Sequence, residues 1–333
     1  MWHRASIQGV RVLKKRNLMF ILLTGCFMVI STGATAKENH KDAPVFAMVT
    51  DDKQPIYDRF VKAFEVQSRA DFYEFSLYGQ DENIANVVSQ ALAMKPTLFV
   101  AVGPKSARAL AGKVGKTPLL ITMVPSMMQK QSKAGSNIAG VMLERSPVSR
   151  LQVFQQLFPD AKKLGIAYDP KVSQARINAA KDAARAMNLQ LLTAPISNPS
   201  EVDKALQKLK GNVDVLVLLN DPSLLNLTTI DAVAEFSIVN RLPSIALSDQ
   251  MVARGILLGV SVDYARLGTQ AGQLANRIAF EGVKPGAVGF VAPDGIQISL
   301  NLTTSKNFPA ACDIKSRVLI YAADNNFDVE VFR

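Results

Sequence analysis

Residues 96–112 read PTLFVAVGPKSARALAG, and this stretch predicts the fold of the chain. Residues 97–102 are apolar and rich in valine and phenylalanine, with the length of a strand that is buried on both faces. Gly103 and Pro104 interrupt this run, and residues 105–111 have the composition of a short helix, whose first turn tolerates Pro104. The order of strand, glycine turn and helix is typical of a βα unit in a parallel sheet.

The same order recurs along the chain in two successive halves. Strands are predicted in the first half at residues 45–50, 72–78, 97–102, 118–124 and 138–143. The pattern restarts in the second half, with strands at residues 163–168, 189–194, 213–219, 243–247 and 255–262. Helical segments lie between the strands, so the sequence predicts an α/β protein with two Rossmann-like lobes built on parallel sheets.

The segments that follow the second half are of two kinds. Residues 263–280 are predicted as a long helix, and Gly268 and Gly272 belong to a face of small residues that permits close packing. From residue 301 the pattern is less regular, and a weak alternation over residues 321–332 predicts an edge strand.

The first 36 residues have the pattern of an export signal. They contain five basic residues and no acidic one, and the apolar run at 18–30 is too short for a comfortable transmembrane helix. Ala34-Thr35-Ala36 predicts cleavage after Ala36 and a periplasmic product. A lipoprotein anchored at Cys26 in the sequence LTGC, residues 23–26, and an uncleaved anchor remain alternatives. The apolar residues that follow Cys26 favour the soluble form.

Composition argues against several classes of protein. Residues 37–333 contain 33 basic and 28 acidic residues without a long basic run, which predicts no nucleic-acid partner. The two histidines, His3 and His40, precede the first predicted strand of the two halves, so we expect neither a Ser-His-Asp triad nor a histidine-ligated metal. No P-loop, GxSxG or GxGxxG motif is present. We therefore predict no enzymatic activity, no metal and no cofactor, and Cys312 has no disulfide partner once the leader is removed.

Polar residues follow the predicted strands, at the edge where doubly wound sheets bind ligands. They are Asp51, Asp52, Gly103, Lys105, Ser106, Pro125, Ser126, Asp169, Ser173, Gln174, Asn220, Asp221, Ser248, Asp249 and Asp263. The helix start at Ser106 suits an anion such as a carboxylate, because its backbone N–H groups are unpaired. Simpler interpretations stay open: Asp169, Asp221 and Asp249 as helix caps, and Asp51 with Asp52 as an exposed turn rather than a metal pair.

Four segments carry a resemblance to a known family. They are VAVGPKSARAL at 100–110, SNIAGVML at 136–143, KKLGIAYDP at 162–170 and VDYARLGTQAGQLANRIAFEGVKPG at 262–286. The chain resembles the type I periplasmic substrate-binding proteins of ABC transporters, in particular the subfamily that includes tryptophan- and tyrosine-type binding proteins. The last segment is the most specific match, and the resemblance covers residues 45 to about 301.

The resemblance implies a Venus-flytrap fold and a set of ligand contacts. The first lobe would contain residues 45–146 and a return segment at about 263–300, the second lobe residues 147–262, and residues 301–333 a C-terminal segment. A small molecule would bind in the interlobe cleft of a monomer, which would deliver it to an inner-membrane ABC permease. The implied contacts are Gly103, Ser106, Ala107, Asp169, Ser173, Asn220 and Asp249.

The chain departs from the family pattern at two of these positions. Gly103-Pro104-Lys105-Ser106 stands where Gly-Thr-Pro-Ala is common, and residues 169–173 lack the asparagines of the second-lobe loop. The predicted ligand is therefore described as a small polar molecule, either an amino acid or a related organic anion. A sensory module for a membrane signalling protein, a doubly wound enzyme and a cleft that binds no small molecule are the alternatives.

Overall fold

The computed structural model describes residues 6–7, 10–13, 43–124, 136–219, 221, 224, 226–308 and 311–333. The chain divides into two compact units. Unit 1 contains residues 1–143 and 264–291, and unit 2 contains residues 144–263 and 292–333.

Unit 1 is built on an eight-stranded sheet among the described residues. Its strands are β1 (Ser6–Ile7), β2 (Val10–Leu13), β3 (Val45–Thr50), β4 (Asp71–Ser76), β5 (Leu98–Val102), β6 (Leu119–Thr122), β7 (Ile138–Val141) and β13 (Phe290–Val291). Its helices are α1 (Pro55–Gln67), α2 (Ile84–Ala93), α3 (Pro104–Leu110), α9 (Tyr264–Phe280) and α10 (Pro285–Val288). The strand order is β1-β2-β4-β3-β5-β6-β7-β13. The pairs from β4 to β13 are parallel, and the pairs β1–β2 and β2–β4 are antiparallel.

Unit 2 is built on a sheet with seven strands in the described part of the chain. Its strands are β8 (Lys163–Tyr168), β9 (Gln190–Pro195), β10 (Val215–Val217), β11 (Ser244–Ala246), β12 (Leu258–Val262), β14 (Ile296–Asn301) and β15 (Asp328–Phe332). Its helices are α4 (Pro147–Leu157), α5 (Pro170–Ala186), α6 (Val202–Leu209), α7 (Leu227–Val239), α8 (Asp249–Ala253), α11 (Leu302–Ser305) and α12 (Ala311–Asn325). The strand order is β15-β14-β12-β11-β10-β8-β9, and only the β12–β14 pair is antiparallel in the described sheet.

The observed division differs from the predicted one in the return segment. Residues 264–291 belong to unit 1, whereas residues 292–300 belong to unit 2. The reason is that β14 pairs antiparallel with β12 and so extends the sheet of unit 2. The final residues continue this extension: α12 replaces the predicted strand at residues 321–325, and β15 forms an edge strand that pairs with β14.

Most predicted elements agree with the structure to within a few residues, and helix starts account for some of the differences. The strands at 45–50 and 163–168 have the predicted bounds. The second helix begins at Ile84, and its N-cap is Asn83 rather than Asp81. Asp81 instead accepts a hydrogen bond from the Lys105 ammonium at 2.6 Å.

An aromatic cluster joins α1 to the sheet of unit 1. Phe60 and Phe64 lie one turn apart on α1, so both side chains point to the same face of the helix, and both are fully buried. The Phe64 ring contacts Phe46 of β3 edge-on at 6.3 Å and Phe72 of β4 edge-on at 5.7 Å between centroids. Such aromatic contacts add stability beyond the burial of area.

Helix α9 packs against α1 through its face of small residues, as the sequence predicts. A β-carbon on Gly268 would lie 2.3 Å from the backbone carbonyl oxygen of Phe60, and one on Gly272 would lie 3.2 Å from that of Phe64. Only glycine leaves room for the α1 backbone at such a distance. The contact brings the chain after the second half back onto unit 1.

Asn276 of α9 forms hydrogen bonds with the backbone at the C-terminal end of α1. Its side-chain oxygen accepts a hydrogen bond from the Arg69 amide at 2.9 Å, and its side-chain nitrogen donates to the Gln67 carbonyl oxygen at 2.9 Å. The side chain is 6% exposed, so water replaces these bonds poorly. This single residue therefore satisfies two backbone groups at a helix end.

We expect Asn276→Ala to lower the free energy of unfolding by about 1–3 kcal/mol, because two partly buried hydrogen bonds to backbone groups are lost. Asn276→Asp keeps the hydrogen-bond acceptor and loses the donor, so its free energy of unfolding should differ from that of the alanine variant. Thermal unfolding followed by circular dichroism measures both. Equal melting temperatures for the wild type and Asn276→Ala would contradict the assignment.

Two apolar clusters cover the faces of the sheet in unit 2. One contains Phe154 and Phe158 of the α4 region, whose rings stack at 5.4 Å, together with Ile298 of β14 and Val318 of α12. The other joins α6 and α7 to the opposite face. Helix α12 therefore contributes to the core of this unit, although its sequence pattern is weak.

Candidate functional site

Asp51 fills the turn that begins α3 in unit 1. The carboxylate follows β3 and accepts hydrogen bonds from the backbone amides of Lys105 and Ser106, each at 2.6 Å. These are the unpaired donors that a helix start offers to an anion. The side chain is buried, so the prediction of an exposed turn at Asp51 is wrong. The chain thus supplies its own carboxylate to the position where the sequence predicts a ligand anion.

The other predicted donors of this turn also have partners within unit 1. The Gly103 amide donates to the Thr122 carbonyl oxygen at 3.0 Å, and the Ala107 amide donates to the Gly103 carbonyl oxygen at 3.1 Å. The Ser106 hydroxyl donates to the Gly103 carbonyl oxygen at 3.0 Å, and Ser106 is fully buried. A ligand that binds this turn must therefore displace Asp51, and ligand contact by Gly103, Ser106 and Ala107 stays a prediction.

Gly103 permits the close approach of Asp51. Its φ is +112°, which L side chains rarely adopt, and a β-carbon there would lie 2.4 Å from the Asp51 carboxylate carbon. Glycine is therefore needed at this position for two reasons: it can adopt the positive φ, and it leaves room for the Asp51 carboxylate.

Tyr57 of α1 lies in the same electronegative environment. Burial is the main cause that raises the pKa of its phenol to about 12, and the negative charges of Asp51 and Asp52 and the neighbouring Tyr264 add to the effect. The phenol therefore remains a hydrogen-bond donor throughout the physiological range.

The raised pKa of Tyr57 makes the stability of the protein depend on pH in the alkaline range. The folded protein keeps the Tyr57 proton between pH 10 and 12, whereas the unfolded chain releases it near pH 10, so the unfolded state binds fewer protons in this window and stability falls as pH rises. We expect urea unfolding at pH 9, 10 and 11 to show a smaller decline for Tyr57→Phe than for the wild type. Identical declines would contradict the assignment.

Two acidic residues bring the ends of β8 and β10 together in unit 2. The Asp221 carboxylate is fully buried and accepts a hydrogen bond from the Asp169 amide at 3.0 Å. Asp169 is the N-cap of α5, and its side chain accepts from the Lys171 amide at 2.8 Å. The cap interpretation of Asp169 is thus confirmed. Asp221 does not cap α7, whose N-cap is Asn226.

The other residues of unit 2 that are predicted to contact a ligand differ in burial and in position. Ser173 is fully buried in the first turns of α5, and its hydroxyl has no hydrogen-bond partner among the described residues. Asp249 is the first residue of α8, where Ser248 is the N-cap, so its predicted cap role is wrong. Asn220 lies outside the described residues. Ligand contact by Asp169, Ser173, Asn220 and Asp249 stays a prediction.

A recess opens in unit 2 between the sheet and helices α4 and α5. It encloses about 870 Å³ of space between atoms, including the solvent at its mouth. Its apolar lining residues are Pro147, Leu151, Phe154, Leu164, Ile166, Ala180, Leu191, Val217, Leu219, Ile245, Leu247 and Val260. Three charged residues complete it: Glu144, Arg150 and Arg176.

Sequence reasoning missed the recess and its charged residues. Arg150 and Arg176 lie on amphipathic helices, where a charged side chain ordinarily faces solvent. No motif distinguishes them from the other arginines of the chain, and the recess exists only after α4 and α5 are placed on the sheet.

The described residues contain no group of three or more histidine, cysteine, aspartate or glutamate side chains that could hold a metal ion. Within the same part of the chain, no helix is both long and apolar enough to cross a bilayer. The predicted leader, residues 1–36, lies outside the described residues except for β1 and β2, which the sequence did not predict as strands, and its cleavage stays a prediction.

Two parallel-dominated α/β units with polar residues at the carboxyl ends of their strands define the class of two-lobed, type I ligand-binding proteins. The chain belongs to the family of ABC transporter substrate binding proteins, which matches residues 62–325. The family resemblance drawn from the four sequence segments is therefore confirmed.

A curated relative and two solved structures are similar over most of the chain. The tyrosine-binding protein of Clostridioides difficile (strain R20291) is 26% identical over 307 residues, covering 86% of this chain and 87% of the relative. The ligand-free, open structure of a substrate binding protein with adhesive properties from Clostridium difficile has a TM-score of 0.70 at 21% identity, covering 88% of this chain and all of that one. A conserved domain protein from Vibrio cholerae has a TM-score of 0.54 at 20% identity, covering 83% of this chain and 98% of that one.

Proposed function

We propose that this protein is exported, captures a small molecule and delivers it to the permease of an ABC importer. Membership of the substrate-binding family is the observation that carries the proposal. The ligand class is an amino acid or a related organic anion, and the name of the curated tyrosine-binding relative supports it. The seven predicted contacts, from Gly103 to Asp249, remain candidates for the site.

A non-enzymatic role is part of this proposal, and membership of the substrate-binding family supports it. The curated relative that covers most of the chain is a binding protein by name. The small-molecule ligand, the membrane partner, the monomeric state and the periplasmic location all follow from the same proposed role.

Uptake by whole cells tests the delivery step. Cells that lack the gene should take up radiolabelled L-tyrosine, L-tryptophan or an aromatic acid more slowly than the parent strain, and a plasmid copy should restore the rate. A matched plasmid that encodes the chain without residues 2–36 should fail to restore it, because export is lost. Unchanged uptake of every solute that binds the purified protein would overturn the transport role and favour the sensory alternative.

A further inference from the structure

The recess of unit 2 combines apolar walls with a partly buried arginine, Arg150. The Arg150 side chain is partly buried, and no hydrogen bond or ion pair joins its guanidinium to another described residue. Glu144 attracts this cation, but the N–H donors of the guanidinium have no acceptor among the described residues, and a bound anion would supply one.

The neighbouring charges leave the recess with a positive balance. Burial lowers the pKa of Arg150, and Arg176 acts in the same direction, whereas Glu144 opposes the shift. Arginine nevertheless remains a cation at neutral pH. Two arginines and one glutamate give the lining a formal charge of +1. Arg176 has an interaction of its own, so Arg150 is the cation from which the ligand preference is argued. A ligand with a single negative charge suits this guanidinium better than a zwitterion, which would bring a second cation into the recess.

The residues that line the recess indicate the chemistry of such a ligand. Leu151, Leu191, Val217 and Leu247 line the recess and remain partly exposed, so apolar surface is available to a bound molecule. Burying this surface against an apolar ligand is favourable. The guanidinium presents a planar fork of N–H donors, whose geometry matches a carboxylate.

We propose that the recess of unit 2 binds apolar monocarboxylic acids, with the Arg150 guanidinium receiving the carboxylate and the apolar walls receiving the body of the molecule. The proposal rests on the proposed function as a solute-binding protein and narrows the ligand to an acid without an ammonium group.

Four molecules with the same indole ring test the proposal by isothermal titration calorimetry on the purified full chain. Indole-3-acetate is the anion, indole-3-acetamide the neutral analogue, L-tryptophan the zwitterion and tryptamine the cation. We expect indole-3-acetate to bind at least about tenfold more tightly than the other three, because only it matches both the charge and the fork. Preference for L-tryptophan or tryptamine would overturn the proposal.

Substitution of the charged residues tests the site itself. Arg150→Gln should weaken the binding of indole-3-acetate by about tenfold or more, and Arg150→Lys should fall between it and the wild type, because lysine keeps the charge but loses the fork. Glu144→Gln should leave binding equal or tighter. Arg185→Gln is the matched control: it also removes one positive charge, but from a side chain on α5 that is 76% exposed and paired with Asp182.

Folding controls and outcomes separate this inference from the proposed function. Each variant is first compared with the wild type by thermal unfolding without ligand, so that a folding defect is recognised. If L-tyrosine or L-tryptophan binds and Arg150→Gln leaves that binding intact while indole-3-acetate does not bind, the solute-binding function stands and the recess assignment is overturned. If the wild type binds no small molecule, both fail.

Discussion

Gly268→Ala should destabilise the protein by about 3 kcal/mol, which lowers the melting temperature of unit 1 by several degrees. The added β-carbon would lie 2.3 Å from the carbonyl oxygen of Phe60, so α9 must move away from α1. The obstacle is backbone, which cannot rotate aside as a flexible side chain can. Differential scanning calorimetry measures the loss.

Two further substitutions on α9 provide a graded series. Gly272→Ala meets the Gln67 β-carbon at 2.9 Å and the Phe64 carbonyl oxygen at 3.2 Å, so its cost should be smaller. Gln273→Ala changes an exposed residue of the same helix and should alter stability by no more than about 0.5 kcal/mol. If Gly268→Ala melts at the temperature of Gln273→Ala, the close contact between α9 and α1 is incorrect.

Gly103→Ala should be comparably destabilising, at about 3 kcal/mol, through two effects that add. A φ of +112° strains any residue with a β-carbon, and the new atom would lie 2.4 Å from the carboxylate carbon of Asp51. Asp51 would then lose its charge-assisted hydrogen bonds to the Lys105 and Ser106 amides, of which the first is partly buried and the second buried.

Gly112→Ala separates these two effects. Gly112 also has a positive φ, +72°, but an added β-carbon would meet no atom within 4 Å. Its cost should be the backbone strain alone, about 1 kcal/mol. Equal losses in the two alanine variants, measured by urea unfolding, would show that Asp51 contributes nothing at the α3 turn.

The order of most elements could be predicted from sequence because most strands after residue 44 are short apolar runs that end in glycine, proline or a polar residue. The strand β5 and the turn at Gly103 are the clearest example. The unit to which β14 belongs was harder to predict. Its pairing with β12 is a tertiary contact, and the local sequence of β14 does not indicate which sheet it joins. The helix α12 was missed for a similar reason: its apolar residues lack a strong helical period.

The contents of the site were only partly predictable. Residues at strand ends could be named from the alternation of elements, and Asp169 acts as the cap that its position suggests. The occupation of the α3 turn by Asp51 depends on the pairing of β3 with β5, which aligns Asp51 beside Gly103 although 52 residues separate them in sequence. The recess and Arg150 likewise depend on how α4 and α5 lie on the sheet.

The central claim is that this protein binds a small molecule, and thermal unfolding of the purified full chain against a panel of amino acids, organic acids, nucleosides and short peptides tests it most directly. The account predicts that at least one amino acid or organic acid raises the melting temperature in a saturable manner. At a hundred times its dissociation constant, the ligand should stabilise the protein by about 2.7 kcal/mol, which corresponds to a shift of several degrees. A melting temperature that no member of the panel changes would contradict the claim.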